Sequence, residues 1–118
     1  ISLDSRRRIL QGLMVAGDRT RLAELAQTES DPVLRTEAVR QLGTLGGSSV
    51  VLSGLYQRDR EPRVRRAIIT AFFIQGDAKS LIDIARRETD PALRKEAVSK
   101  LSLMNKKEAT DYLMELLK

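Results

Sequence analysis

The nine residues DPVLRTEAV at 31–39 return as DPALRKEAV at 90–98, 59 positions later. Shifted by 59, residues 9–42 fall on 68–101 with 14 identities in 34 positions, among them Gly17/Gly76, Asp18/Asp77, Leu22/Leu81 and Ala26/Ala85. A third version, EPRVRRAII at 61–69, lies 30 residues after the first copy and 29 before the last. Projected back by 59, it lands on SLDSRRRIL at 2–10, with Arg65 on Arg6 and Ile68 on Ile9. The chain is therefore a four-fold repeat of about 30 residues, with repeats at approximately 1–30, 31–60, 61–89 and 90–118 in a single domain. A unit that short cannot bury its own apolar face and must stack on its neighbours.

Each period reads as two helices. In the second, Asp31 suits an N-cap and Pro32 the first helical position, where a missing N–H costs nothing. Leu34, Ala38, Leu42 and Leu45, with Val39 beside them, make a helical stripe. Gly46-Gly47 ends that helix, and Ser48 or Ser49 is placed to cap the next, which carries Val51, Leu52 and Leu55. The third period follows with Val64, Ile68 and Phe72, a break at Gly76-Asp77, then Leu81, Ile84 and Ala85. The fourth runs from Asp90-Pro91 to Met104, turns at Asn105 and closes with Leu113, Leu116 and Leu117. The first opens at Ser2, carries Ile9, Leu10 and Leu13, turns at Gly17-Asp18 and continues with Leu22 and Leu25. The fold class this predicts is all-α: an α-solenoid of about four antiparallel helix pairs, broken near residues 17, 46, 76 and 105.

Composition narrows the chemistry. Aromatic residues are only 3%, so the core must be built from Leu, Ile, Val and Ala, as close-packed helices allow. The chain has no Cys and no His, which removes disulfides, thiolate chemistry, the usual general base near neutral pH and the commonest transition-metal ligands. No apolar run is long enough to span a bilayer, and no cofactor motif is present. The chain opens on Ile1 rather than Met, which reads as a trimmed or excised piece of a longer protein.

D-P-x-L-R-x-x-A-V opening one helix, with G-D or a similar break before a second Leu-rich helix, resembles the HEAT-like repeat. The resemblance is to the short form found in bacterial HEAT-repeat proteins and in the bilin-lyase type of repeat, and it covers essentially the whole chain. The first copy departs from it, with Leu3 in place of Pro and Ser5 in place of Leu. The resemblance implies a curved α-solenoid whose second helices line a concave side where partners bind. It also points away from known enzymatic variants: HEAT-like hydroxylases need His–Glu pairs for iron, and HEAT-like DNA glycosylases lean on more aromatic residues. A bilin lyase fits only as one subunit of a larger assembly.

Several residue sets qualify as candidate sites. Arg6, Arg35, Arg65 and Arg94 share one column of the repeat, and Asp31, Glu61 and Asp90 share another. An anion-binding ladder and a structural stack of Arg–carboxylate bonds are the two readings. Recurrence in every copy favours the structural one, since one ligand needs one site. Asp18/Asp77 and Glu24/Asp83 are the carboxylates placed by pattern, but two repeats separate the members of each pair, too far for a shared acid–base site. GTLGGSS at 43–49 lacks the Lys and the preceding strand of a phosphate loop and reads as an inter-helix turn. Gly54, inside a predicted helix, implies either a close neighbour or a weak helix.

Net charge is +5. The first helices (1–16, 31–45, 61–75, 90–104) carry +2, 0, +2 and +1, whereas the second helices (17–30, 46–60, 76–89, 105–118) carry −1, +1, 0 and 0. A groove that tracks phosphates would concentrate cations on its lining, so this distribution counts against nucleic acid on the concave side. The leading expectation is a non-enzymatic scaffold that binds a protein partner through its concave face. Tyr56, Ser53 and Gln57 would form the centre, and Arg21, Glu24, Asp83 and Arg86 a rim of mixed sign. Tyr56 is either a partner-binding hot spot or a cover for the seam between repeats. The alternatives are a nucleic-acid or anion-binding module using the convex arginines, such as Arg7 and Arg66, and a regulatory or chaperone-like subunit of an enzyme.

Overall fold

The computed structural model describes residues 1–118 throughout and is entirely helical. Its elements are α1 (Leu3–Val15), α2 (Arg19–Thr28), α3 (Pro32–Leu45), α4 (Ser49–Arg58), α5 (Pro62–Ile74), α6 (Ala78–Arg87), α7 (Pro91–Ser102) and α8 (Lys107–Leu116). The four expected breaks are all present. Local chemistry explains them: Pro32, Pro62 and Pro91 each occupy the first helical turn, and Asp31, Asp90, Asp18 and Asp77 each accept a backbone N–H from that turn. Gly17 and Gly76 sit at φ 69° and 68°, a left-handed conformation that ends the preceding helix without a Cβ penalty.

The helices form two rows. The odd-numbered helices pack in succession, α1 on α3, α3 on α5 and α5 on α7. The even-numbered ones lie alongside, with α2 against α3, α4 against α5, and α6 against α7 and α8. The molecule measures 53 × 25 × 20 Å with a radius of gyration of 14.7 Å. That exceeds the roughly 13.5 Å of a globular chain this long, as a stack growing in one direction should. The core is one cluster running the length of the stack, with Leu22, Leu42, Leu52, Ile68, Phe72, Leu81 and Leu101 fully enclosed.

Four expectations need correcting. First, Gly43–Leu45 belong to α3, and the turn is only residues 46–48. Gly43 is instead the point of close approach between α3 and α5 within the odd-numbered row: a Cβ there would lie 2.8 Å from the Ala71 Cβ. Second, neither Ser48 nor Ser49 caps α4. Ser48 adopts φ 63° and makes no capping bond, while the Ser49 hydroxyl donates to Asp77 at 3.1 Å. The loop is held by Arg19, which donates to the carbonyls of Leu45 (2.6 Å) and Gly46 (2.9 Å) and so satisfies the open end of α3. Third, α8 buries Ala109 and Tyr112, not Leu116 and Leu117, which are 42% and 80% exposed. α8 packs against α6 and α7, and the part of its stripe not covered by them stays outside. Ile9 on α1 is left exposed in the same way, while Leu10 is buried.

The fourth correction concerns the arginine column. Its carboxylate partners are not Asp31, Glu61 and Asp90 but Glu29, Asp59 and Glu88, two residues earlier in each repeat. Asp31 and Asp90 cap helices, and the Glu61 side chain makes no capping bond. The acids that matter sit at the helix C-caps, where both their carboxylates and their carbonyls can be reached. Arg35 donates to Asp59 of its own repeat (2.8 Å) and to the Glu29 and Ser30 carbonyls of the preceding one (3.0 Å each). Arg65 donates to the Asp59 carbonyl (2.9 Å) and to Glu88 (3.0 Å). Each acid thus takes one arginine through its side chain and, at Glu29 and Asp59, the next arginine through its backbone. The relay buttons successive repeats together and stops at Arg94, which is exposed and makes no side-chain hydrogen bond.

Candidate functional site

The even-numbered row presents two adjoining concavities. Between α4 and α6 lies a cleft of about 340 Å³ lined by Ser53, Tyr56, Gln57, Asp83 and Arg65, with Arg60, Arg87, Glu88 and Thr89 closing its end. It continues through the shared residues Ser53, Ser80 and Asp83 into a wider groove of about 880 Å³ between α4, α6 and α8. Arg86, Glu108, Asp111, Tyr112 and Glu115 line that groove, and Val50, 88% exposed, stands on its wall. Of the residues expected from sequence, Ser53, Tyr56, Gln57 and Asp83 meet in one cleft, and Arg86 lines the adjoining groove. Arg21 and Glu24 do not join them. Arg21 is bonded to Asp18 at 2.6 Å, and Glu24 lines a separate shallow groove with Arg19, Gln27 and Val51.

Tyr56 is a wall of the cleft rather than an exposed contact. It is 7% exposed, its hydroxyl donates to Glu88, and the Arg65 guanidinium lies over its ring, with Cζ 4.6 Å from the centroid. Burial and then the bond to Glu88 push the Tyr56 hydroxyl well above its ordinary pKa. For Glu88, burial alone would raise the carboxyl. The Tyr56 hydroxyl, the Asp90 N–H and the Arg65 guanidinium outweigh it and hold the group below its ordinary value. The triad is therefore a neutral phenol, a carboxylate and a guanidinium, arranged as a fixed floor.

The pattern-placed carboxylates have structural duties. Asp18 accepts the Arg21 N–H at the start of α2, and that bond, then the Arg21 guanidinium, holds it below the usual carboxylate range. Asp77 accepts the Ser80 N–H and hydroxyl as well as Ser49. Asp83 pairs with Arg87 across one helical turn. No three acidic side chains converge in a way that could hold a metal ion. Gly54 has neither a close helix nor a void beside it: the Arg58 guanidinium folds back over it, 3.1 Å from where a Cβ would stand, and reaches Gln27 of the preceding repeat at 3.3 Å.

On the odd-numbered row, the basic clusters divide. Arg6 and Arg65 are engaged in the relay, whereas Arg7, Arg8, Arg63 and Arg66 are exposed and bonded to no carboxylate. No helix is long and apolar enough to cross a membrane. Compared with protein-family models, curated proteins and solved structures, the chain matches none.

Proposed function

We propose that this chain is a non-enzymatic, HEAT-like α-solenoid scaffold that takes a protein partner on the face formed by α4, α6 and α8. The observation that carries the reading is the continuity of the cleft and the groove through Ser53, Ser80 and Asp83, along the row of α4, α6 and α8. The floor is rigid, because Tyr56, Arg65 and Glu88 hold one another. The rim is adaptable: Gln57, Arg60, Arg86 and Arg87 are exposed. Tyr and Arg are residue types enriched at protein interfaces, and a polar rim is usual around them. Exposed Val50 adds an apolar contact beside it. The carboxylates that pattern singles out are occupied with capping and pairing, which leaves no evident acid–base pair to do chemistry.

The test is a peptide-display selection on the immobilised protein, with the selected binders mapped by amide chemical shifts. Binders on this face should shift Ser53, Gln57, Asp83 and Arg86. Enrichment of nothing, or shifts confined to the odd-numbered row, would reject the reading.

A second reading is kept by one observation, the exposed Arg7, Arg8, Arg63 and Arg66 without carboxylate partners. An anionic polymer bound there should dissociate steeply as salt rises.

A further inference from the structure

We infer that the cleft between α4 and α6 is an anchor for a single carboxylate side chain, Asp or Glu, of the bound partner, with Arg65 as its floor and Arg60 and Arg87 as its rim. The inference rests on the scaffold reading and specifies the chemistry of what that scaffold takes.

The argument starts from donors. An arginine carries five N–H groups in a planar fork. The protein takes an acceptor for two groups of Arg65: Nε donates to the Asp59 carbonyl at 2.9 Å and Nη1 to Glu88 at 3.0 Å. Nη2 has no acceptor in the protein, although the side chain is only 9% exposed. Nor is it sealed off, since no buried side-chain nitrogen or oxygen is left without a hydrogen bond. Arg65 lines the cleft, so a nine-tenths-buried guanidinium keeps a free donor edge at an opening. Its position is fixed by three partners: Asp59 and Glu88 in the plane and the Tyr56 ring against one face. A fixed donor edge in a partly desolvated recess binds an anion with little reorganisation.

Charge selects the anion. The cleft holds Arg60, Arg65 and Arg87 against Asp83 and Glu88, an excess of one positive charge. Arg87 is paired with Asp83, and Arg65 with Glu88, so the unbalanced cation is Arg60, exposed at the rim and without a carboxylate partner. One net charge suits a monoanionic carboxylate. A phosphate dianion would be left under-neutralised and would face Glu88 and Asp83. The hydroxyl and amide groups of Ser53, Gln57 and Thr89 supply further neutral partners for a carboxylate and the peptide backbone around it.

The test is a titration of isotopically labelled protein, read at the arginine Nε–Hε resonances. The probes are N-acetylglutamate amide, its neutral isostere N-acetylglutamine amide, and inorganic phosphate. Saturable shifts of Arg65 and Arg60 with the glutamate probe alone are expected, and Arg60→Glu, a rim change that leaves the relay intact, should weaken them roughly tenfold. Arg65→Lys, which removes the fork, should abolish them; if that variant fails to fold, Arg60→Glu decides alone. Equal response to the glutamine probe, stronger response to phosphate, or no saturable response would overturn the inference. Peptide display separates it from the scaffold reading. Binders on this face without an acidic residue would overturn the anchor and leave the scaffold standing, while a saturable glutamate response with no selected peptide would support the anchor and count against the scaffold.

Discussion

Arg65 lies over the ring of Tyr56, and both side chains donate to the same oxygen of Glu88, Oε1. The contact ties three elements, the α4 wall, the α5 floor and the end of α6, to one buried ion. It is also the innermost rung of a graded ladder. Side-chain exposures of the arginine and its acid fall from 46% and 18% at Arg6–Glu29, through 18% and 9% at Arg35–Asp59, to 9% and 5% at Arg65–Glu88.

Exposure should set the energetic worth of each rung, because removing one partner of a buried pair strands the other charge. Glu88→Ala is expected to cost about 3 kcal/mol, whereas Glu29→Ala should cost under about 1 kcal/mol. Asp59→Ala should fall between them. Urea denaturation of the three variants checks the order, and equal losses at Glu29 and Glu88 would contradict it.

Acid should attack the same rung. The folded protein holds Glu88 below the ordinary glutamate value of 4.5, so the folded state binds that proton less readily than the unfolded chain. The linked stability is present above the unfolded value and is lost as pH falls through the folded one. Glu88→Gln removes the titration. Its stability should therefore decline less steeply than the wild type's when urea midpoints are compared at pH values below about 4.5. Tyr56 has the opposite sign. Its raised pKa means that stability is lost with rising pH above the ordinary tyrosine value of 10.0. Tyr56→Phe should remove that alkaline component.

The helix breaks were legible because they are local: Asp-Pro, Glu-Pro and Gly-Asp fix backbone and capping within a few residues. The arginine column was legible because it recurs. Its partners were not, because they alternate between Glu and Asp and lie 23, 24 and 23 residues downstream, at the ends of the second helices. Glu29/Glu88 is nonetheless one of the identities at the 59-residue shift, and that signal could have found them. Tyr56 is a similar case. One period away on either side stand Ala26 and Ala85, both fully buried, so its column is a core column and the ring fills space that alanine leaves in neighbouring repeats. The free Nη2 of Arg65 had no sequence signal, since it depends on which acceptors happen to be taken.

Gly43 and Gly54 should respond in opposite directions to alanine. In a helix, glycine to alanine ordinarily gains about 1 kcal/mol. At Gly43 the new Cβ would meet the Ala71 Cβ at 2.8 Å and its Cα at 3.1 Å, and neither can turn aside. A net loss of about 1–3 kcal/mol is expected, partly recovered by Ala71→Gly in the double variant. At Gly54 the only obstacle is the far end of Arg58, which can swing away, so Gly54→Ala should be neutral or stabilising. Thermal midpoints of the four proteins decide this, and a destabilised Gly54→Ala would mean that the Arg58–Gln27 bond is worth more than its exposure suggests.

The relay also predicts how its open rung can be closed. Arginine and acid are 23, 24 and 23 residues apart in the three formed rungs. The same spacing from Arg94 reaches residues 117 and 118, where Leu117 and Lys118 offer no carboxylate side chain. Arg94→Ala should therefore change stability by no more than about 0.5 kcal/mol, in contrast to Arg65→Ala. Leu117→Glu or Lys118→Glu should create the missing partner. The new pair would be solvent-exposed, so the expected gain is only about 0.2–1 kcal/mol and should fade at high salt. The decisive measurement is a double-mutant cycle: the gain from the new glutamate must disappear when Arg94 is alanine. A gain that survives Arg94→Ala would come from elsewhere on α8, and the spacing rule would then not extend to the fourth repeat.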